Sequence, residues 1–277
     1  MILVQLTNGF GNNIFQYTAA KLLADFHCQE IYALSPSPNY YAVSDLKDLG
    51  IQFYEGSTDF SSFIRGNDQN YRELFNIELS QHSFILSGYF ENYKYFQKHI
   101  EKIKTWYPQV DKRDNNDLVI HFRTGDRLFY KNEFDTKPAV RSYLKAMEKF
   151  DFDQMHIVTD MPEWKKISTS ELQKMRFHKF VEKENSVPLQ KSVDYFNSFV
   201  DGFSKYNPIV QNRTVGEDFN FIRSFDNILF QHGTMGWWAS VLSSATTVGV
   251  YGPWRPWKGS SNKNLSNVPI KGWFKWK

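Results

Sequence analysis

The chain is poor in the residues that would tie it to several large classes of protein. One cysteine, Cys28, stands among 277 residues. No intrachain disulfide can form, so a reducing compartment or a fold that needs no covalent staple is expected. No apolar run approaches the roughly 18 residues of a membrane span. Met1 to Thr7 is strand-like and lacks the basic start and cleavage site of a secretory signal. The sequons at Asn212 and Asn264 therefore carry no expectation of glycosylation. A net charge of +3, with an isoelectric point near 8.7, is too mild for a nucleic-acid footprint but suits an anionic small molecule. The seven histidines are scattered without ligand spacing. Asp151-Phe-Asp153 has the D-x-D form of metal-dependent transferases but lies between a helix and a strand, where a solvated turn is expected. These absences make a soluble cytoplasmic protein the default expectation and give no grounds for a metal site.

Aromatic residues are abundant, with 25 Phe, 15 Tyr and 8 Trp, which suits sugar-handling surfaces and large cores alike. A chain this long buries roughly three quarters of its unfolded surface, as one domain or two. Ile2 to Leu6 reads as a strand, and Thr7 to Asn13 as a tight loop. From Ile14 to Phe26 apolar residues recur with helical spacing, with Asn12 or Asn13 as N-cap, and Ile31 to Leu34 reads as a second strand. Residues 36–80 allow few assignments. Ser83 to Ser87 reads as a strand and Tyr95 to Trp106 as a helix. Asp111 to Asp117, charged and without an apolar residue, is the linker candidate.

The second half repeats the alternation. Strands are predicted over 118–126, 155–160, 177–181, 227–230 and 247–251, with helices over 140–150, 194–203, 218–225 and 234–243; Pro162 can start a further helix. Two strand–helix halves joined by a polar linker predict two Rossmann-like α/β domains facing across a cleft. The boundaries expected are 1–112, 113–260 and a tail, 261–277. The tail, rich in Trp and Lys, would pack back on the first domain in preference to touching a membrane face.

The stretch around which a site can be built is Leu118 to Asp126. It passes from a buried apolar strand to His121, Arg123, Gly125 and Asp126 at the carboxyl end, where α/β sheets bind ligands. Arg123 offers a planar fork for phosphate oxygens; the bland alternative is a simple Arg123–Asp126 pair. Gly9-x-Gly11 invites a dinucleotide reading. That reading fails at Ile14, where the third glycine should stand, and at Ser35-Pro36, where an acid should meet the ribose.

Several stretches, in order along residues 9–238, resemble the α-1,2-fucosyltransferases. Gly9-Phe-Gly-Asn-Asn-Ile-Phe-Gln-Tyr17 resembles that family's G-x-G-N-Q-M-F-Q-Y opening. Gly88 to Phe96 is similar to its G-Y-F/W-x-x-x-K-Y-F segment, and His121-Phe-Arg-Thr-Gly-Asp126 to its H-x-R-R-G-D motif. Ile157 to Asp160 with Trp164, and Asp218 to Trp238, resemble two later motifs. Thr124, Met161 and the run His232 to Gly236 depart from the pattern. The resemblance implies a metal-independent, inverting glycosyltransferase of GT-B type. Its donor would be a nucleotide sugar, GDP-fucose first, and its acceptor a glycan hydroxyl. Without a membrane anchor, such an enzyme would be bacterial or virus-encoded.

On that resemblance Arg123 holds the departing diphosphate, with His121, Asp160, Asp218, Gly233, Thr234 and Met235 around the donor. Asp218 would face the nucleoside, and the helix starting at Thr234 would offer amides to phosphate. Gly9, Gly11 and Asn12 would reach across from the first domain. Asp126 is the expected base, with Glu133 and Asp135 as competitors. Trp237 and Trp238 are expected in the core. Rival readings are the same fold with another nucleotide sugar, a non-catalytic carbohydrate-binding protein, and an oxidoreductase.

Overall fold

The computed structural model describes residues 1–7, 9–57, 59–78, 83–135, 137–161, 164–174, 187–252 and 270–277, without the side chains of Asp126, Asn132 and Glu133. The first unit opens with β1 (Ile2–Gln5), α1 (Phe10–Phe26) and β2 (Ile31–Leu34), the expected βαβ start. It continues through α2 (Val43–Asp48), β3 (Ile64–Gly66), β4 (Phe84–Leu86), α3 (Tyr93–Phe96) and α4 (Ile100–Lys104). The second unit begins with β5 (Leu118–Phe122), α5 (Lys131–Phe134), α6 (Val140–Met147), β6 (Met155–Thr159), α7 (Thr169–Lys174) and α8 (Leu189–Phe203). It is completed by β7 (Ile209–Gln211), α9 (Val215–Arg223), β8 (Asn227–Phe230), α10 (Thr234–Val241), β9 (Thr247–Tyr251) and β10 (Trp273–Trp276).

Both sheets are parallel, with strand orders β2-β1-β4-β3 and β10-β9-β8-β5-β6-β7. Counted within the second unit, that order is 3-2-1-4-5-6, the doubly wound nucleotide-binding arrangement. Every residue of β5, β6 and β8 is buried, as unbroken apolar strands covered on both faces must be. The doubled α/β architecture expected from the sequence is therefore present. The order of strand addition reverses between β5 and β8, so a crevice is expected at their carboxyl ends.

The two units share a core. Helix α1 lies against α10, and the Phe15 ring sits 4.9 Å from both Trp237 and Trp238. Phe10 meets Phe219 edge-on at 5.2 Å. One buried cluster runs from Ile2 and Val4 through these rings to Ile228 and Phe230. Trp237 and Trp238 are fully buried core residues, as expected.

Several expectations need correction. Helix α1 begins at Phe10, not Ile14, because Gly9, at φ 138°, turns the chain where an L side chain would be strained. Asn12 and Asn13 lie inside the helix and do not cap it; their side chains bond Thr234 and Tyr40. The helix expected over 95–106 is two short ones, and the three-residue strands β3 and β7 were too brief to carry a period. The end of the tail does not return to the first unit: β10 extends the second sheet beside β9. Trp276 packs there against Tyr143 and Tyr251, at 4.5 and 4.9 Å. The strand expected over 177–181, the helix start at Pro162, and Trp254 and Trp257 lie outside the described residues.

Candidate functional site

The switch point between β5 and β8 is built from four short segments. His121 is the penultimate residue of β5, and Arg123 and Thr124 leave the strand. Asp160 follows β6, whose Thr159 pairs with Phe122. Gln231 to Gly233 follow β8, and α10 starts at Thr234. From the first unit, Gly11 and Asn12 bring the first turn of α1 against the first turn of α10.

Arg123 and Asp160 form an ion pair in which Arg123 keeps about a third of its side chain exposed. The second carboxylate oxygen of Asp160 accepts from the Thr124 amide at 3.0 Å, the Thr124 hydroxyl at 2.7 Å and the Gly125 amide at 3.0 Å. Burial alone would raise the Asp160 pKa. Arg123 and the Thr124 bonds overcome that and hold it below the usual carboxylate range. With one oxygen on Arg123 and the other taking three bonds, Asp160 fixes Arg123 and the turn after it. Thr124, which stands where the family motif has a second arginine, supplies two of the bonds. Gly125 has φ +36°, and a Cβ there would strike Asp160, so the turn tolerates no larger residue.

His121 is buried, and burial followed by the nearby Arg123 lowers its pKa to about 4. It is neutral at pH 7. Its Nδ1 has no hydrogen-bond partner and lies where a Cβ on Gly236 would come within 2.5 Å, just inside α10. Gly233 caps α10 with φ 140°. The first amides of a helix lack intrahelical acceptors and carry the positive end of its dipole. That end of α10 adjoins His121, whose Cε1 lies 3.6 Å from where a Cβ on Gly233 would stand. The Thr234 hydroxyl donates to Asn12 Oδ1 at 2.7 Å, so the start of α10 is also tied to the first unit. The Gly9 amide and Asn13 Nδ2 both donate to the Tyr40 hydroxyl, at 3.0 and 2.8 Å.

His121, Gly233, Thr234, Met235, Gly11 and Asn12 thus come together, with Arg123 two residues beyond His121 and Gly9 just before α1. Asp218 does not join them. It accepts from Gln211 Nε2 at 2.9 Å and the Arg213 amide at 3.3 Å, beside β7, two strands from β5. Burial raises its pKa. Asp126 lies in the tight turn Gly125–Leu128, and its side chain and that of Glu133 are outside the described set. Asp135 is exposed and faces Lys191 at 3.9 Å. Asp151 and Asp153 lie at the amino end of β6, opposite the site. Among the described residues no cluster of three or more metal-ligating side chains occurs, and no helix is long and apolar enough to cross a membrane.

One site residue escaped the sequence reading. Gln231 Nε2 donates to the Arg123 carbonyl, and its Oε1 accepts from the Tyr143 hydroxyl at 2.8 Å. It fixes the β5 turn from the β8 side. Its signal was available: a buried polar residue immediately after an apolar strand, the same placement as Arg123.

The sequence matches no protein-family model and no curated protein. Solved structures do show similarity. The bacterial iron-containing dodecameric glycosyltransferase TibC, from enterotoxigenic E. coli, is 10% identical with a TM-score of 0.41, over 90% of this chain and 57% of that one. The present chain therefore spans little more than half the length of TibC. A FUT1 mutant from Arabidopsis thaliana, in complex with GDP, is 11% identical with a TM-score of 0.44, over 91% of this chain and 70% of that one.

Proposed function

We propose that the protein is a glycosyltransferase of GT-B type that transfers a sugar, with L-fucose from GDP-fucose as first choice, to a glycan hydroxyl with inversion. One observation carries the proposal. Arg123 is pinned by Asp160 at the strand-order reversal of a doubly wound sheet, and its carbonyl is tied to Gln231, three residues before α10 begins. A cation and a helix dipole in one crevice suit a diphosphate.

In the proposed reaction the acceptor oxygen attacks the anomeric carbon. The bond from that carbon to the diphosphate breaks, and the nucleoside diphosphate leaves with the electron pair. Negative charge grows on the leaving oxygens, where Arg123 and the first amides of α10 stabilise it. A carboxylate takes the acceptor proton. Asp126 is the proposed base on sequence position; Asp135 is already committed to a surface pair with Lys191. His121, neutral and under α10, offers a ring nitrogen without adding charge. Metal independence is part of the proposal.

The test is calorimetric titration with GDP, and with UDP as control, in EDTA. Micromolar GDP binding, weakened about 10- to 100-fold in Arg123→Ala, is the expected result; it corresponds to a charge-assisted bond worth about 1.5–3 kcal/mol. A preference for UDP would discard fucose and retain the reaction. Unchanged GDP affinity in Arg123→Ala would refute the central assignment.

A further inference from the structure

The first sheet has two unlike faces. Ile2, Val4, Phe84 and Leu86 point into the shared core, and the alternate positions face away. Register aligns Tyr32, Leu3, Ile85 and Arg65 in one row and Leu34 with Gln5 in the next, nearer the carboxyl ends, where Ser87 and Asn67 follow β4 and β3. Leu3 and Ile85 are buried yet belong to neither apolar cluster. Parallel sheets ordinarily bury both faces under helices. Here the second row opens as a cavity of about 330 Å³, lined by Gln5, Arg65, Gly66, Asn67, Ile85 and Ser87.

The lining has a definite chemistry. Arg65 is exposed, no carboxylate lines the cavity, and none pairs with Arg65 among the described residues. Asn67 Oδ1 is engaged by the Gln69 and Asn70 amides, at 2.8 and 3.3 Å, which leaves its amide nitrogen as donor. Gln5 Nε2 is directed to the Leu6 and Ser35 carbonyls, which leaves its oxygen as acceptor. Half-buried aromatic rings flank the far side: Tyr32 meets Tyr54 at 6.0 Å, and Tyr54 meets Phe60 at 6.3 Å. Tyr32 and Arg65 stand three strand steps apart, about 14 Å. A cation and rings along the first row, with mixed hydrogen-bonding groups in the second, match a carboxylated sugar chain.

We propose that this cavity binds an acidic saccharide, its carboxylate on Arg65 and its hydroxyls on Gln5, Asn67 and Ser87. It serves as an acceptor subsite. The choice of saccharide rests on the transferase reading above. The cavity lies at the right end of the sheet: Gln5 leads into the loop that carries Gly9 and Gly11, and the Gly88 carbonyl, next to Ser87, accepts from Gln16 of α1 at 2.7 Å.

The test titrates 3′-sialyllactose and lactose into the full chain and its Arg65→Ala and Arg65→Lys variants, read by NMR shift perturbation, with GDP affinity measured alongside. The wild type should favour the sialylated sugar at least tenfold, Arg65→Ala should lose that preference and keep GDP affinity, and Arg65→Lys should retain part of it. Equal affinity for the two sugars, no binding of either, or a preference that survives Arg65→Ala overturns the proposal. Sialyllactose preference without GDP binding would remove the transferase reading and leave the saccharide site standing.

Discussion

Replacing Gly11 by alanine tests the contact that joins the two units, because the sign of the effect depends on that contact alone. In a solvent-facing helix, Gly→Ala stabilises by about 0.5–1 kcal/mol through chain entropy. At Gly11 an added Cβ would lie 2.6 Å from Thr234 Oγ1 and closer still to the Met235 amide nitrogen and the Thr234 carbonyl carbon. Ordinary contact begins at 3.4 Å, and the two backbone atoms come nearer than the hydroxyl, so α1 and α10 must part by more than 0.8 Å (3.4 minus 2.6). Two of the three neighbours are backbone and cannot rotate away. Overpacking of this kind costs about 1–3 kcal/mol. The net expectation is a loss of about 1–2 kcal/mol, or about 2–8 °C in melting temperature. Urea denaturation and thermal melting read it directly. GDP affinity should fall too, because the amino end of α10 moves with the helix. A melting temperature equal to or above wild type would refute the α1–α10 contact.

Asp160→Asn should cost about 2–4 kcal/mol in urea titrations, discounted for the partial exposure of Arg123. Because the native pKa of Asp160 is depressed, its contribution is present above the unfolded value and lost as pH falls through the native one; the variant should lack that part of the acid limb. His121 acts between its unfolded pKa of 6.5 and its native value near 4: there the unfolded chain binds the extra proton, so stability falls as pH drops, by at most about 1.4 kcal/mol per pH unit. His121→Gln should flatten that slope, and an unchanged profile would mean that His121 titrates normally. Gln231→Leu removes bonds to the Arg123 carbonyl and Tyr143; about 1–3 kcal/mol of stability and part of the GDP affinity should go with them. Tyr40→Phe strands the Gly9 amide and Asn13 Nδ2 and should cost a similar amount, visible as faster amide exchange at the start of α1.

The parts of the molecule that were legible in sequence are those where a local pattern and the tertiary environment ask for the same residues. Strands β8 and β9 and the βαβ opening are apolar runs of the right length between turn residues, and they form as expected. The grouping of His121, Arg123 and Thr234 was legible because polar residues crowded directly behind buried strands have few other reasons to be there. What was hidden depends on distant partners. Nothing near Asp160 in the chain announces that Thr124 and Gly125 will occupy its oxygens. Nothing local places Asp218 beside Gln211, away from the crevice. The Gly9-Phe-Gly stretch looked like a ligand loop, yet Gly11 is there to admit another helix. Trp276 was expected to pack on the first unit, and only the pairing of β10 with β9 places it in the second.

The joined core has a consequence for how the chain is made. Asn12 and Thr234 are 222 residues apart, and the Phe15 ring waits for Trp237 over the same distance. At about 5–20 residues per second, a ribosome needs roughly 10–45 s to supply that partner after α1 emerges. During that interval the aromatic side of α1 is uncovered on a nascent first unit. Contacts this distant also slow folding after release. Nascent chains arrested before β8 should bind a holdase chaperone, and the association should end once residues 234–241 clear the exit tunnel.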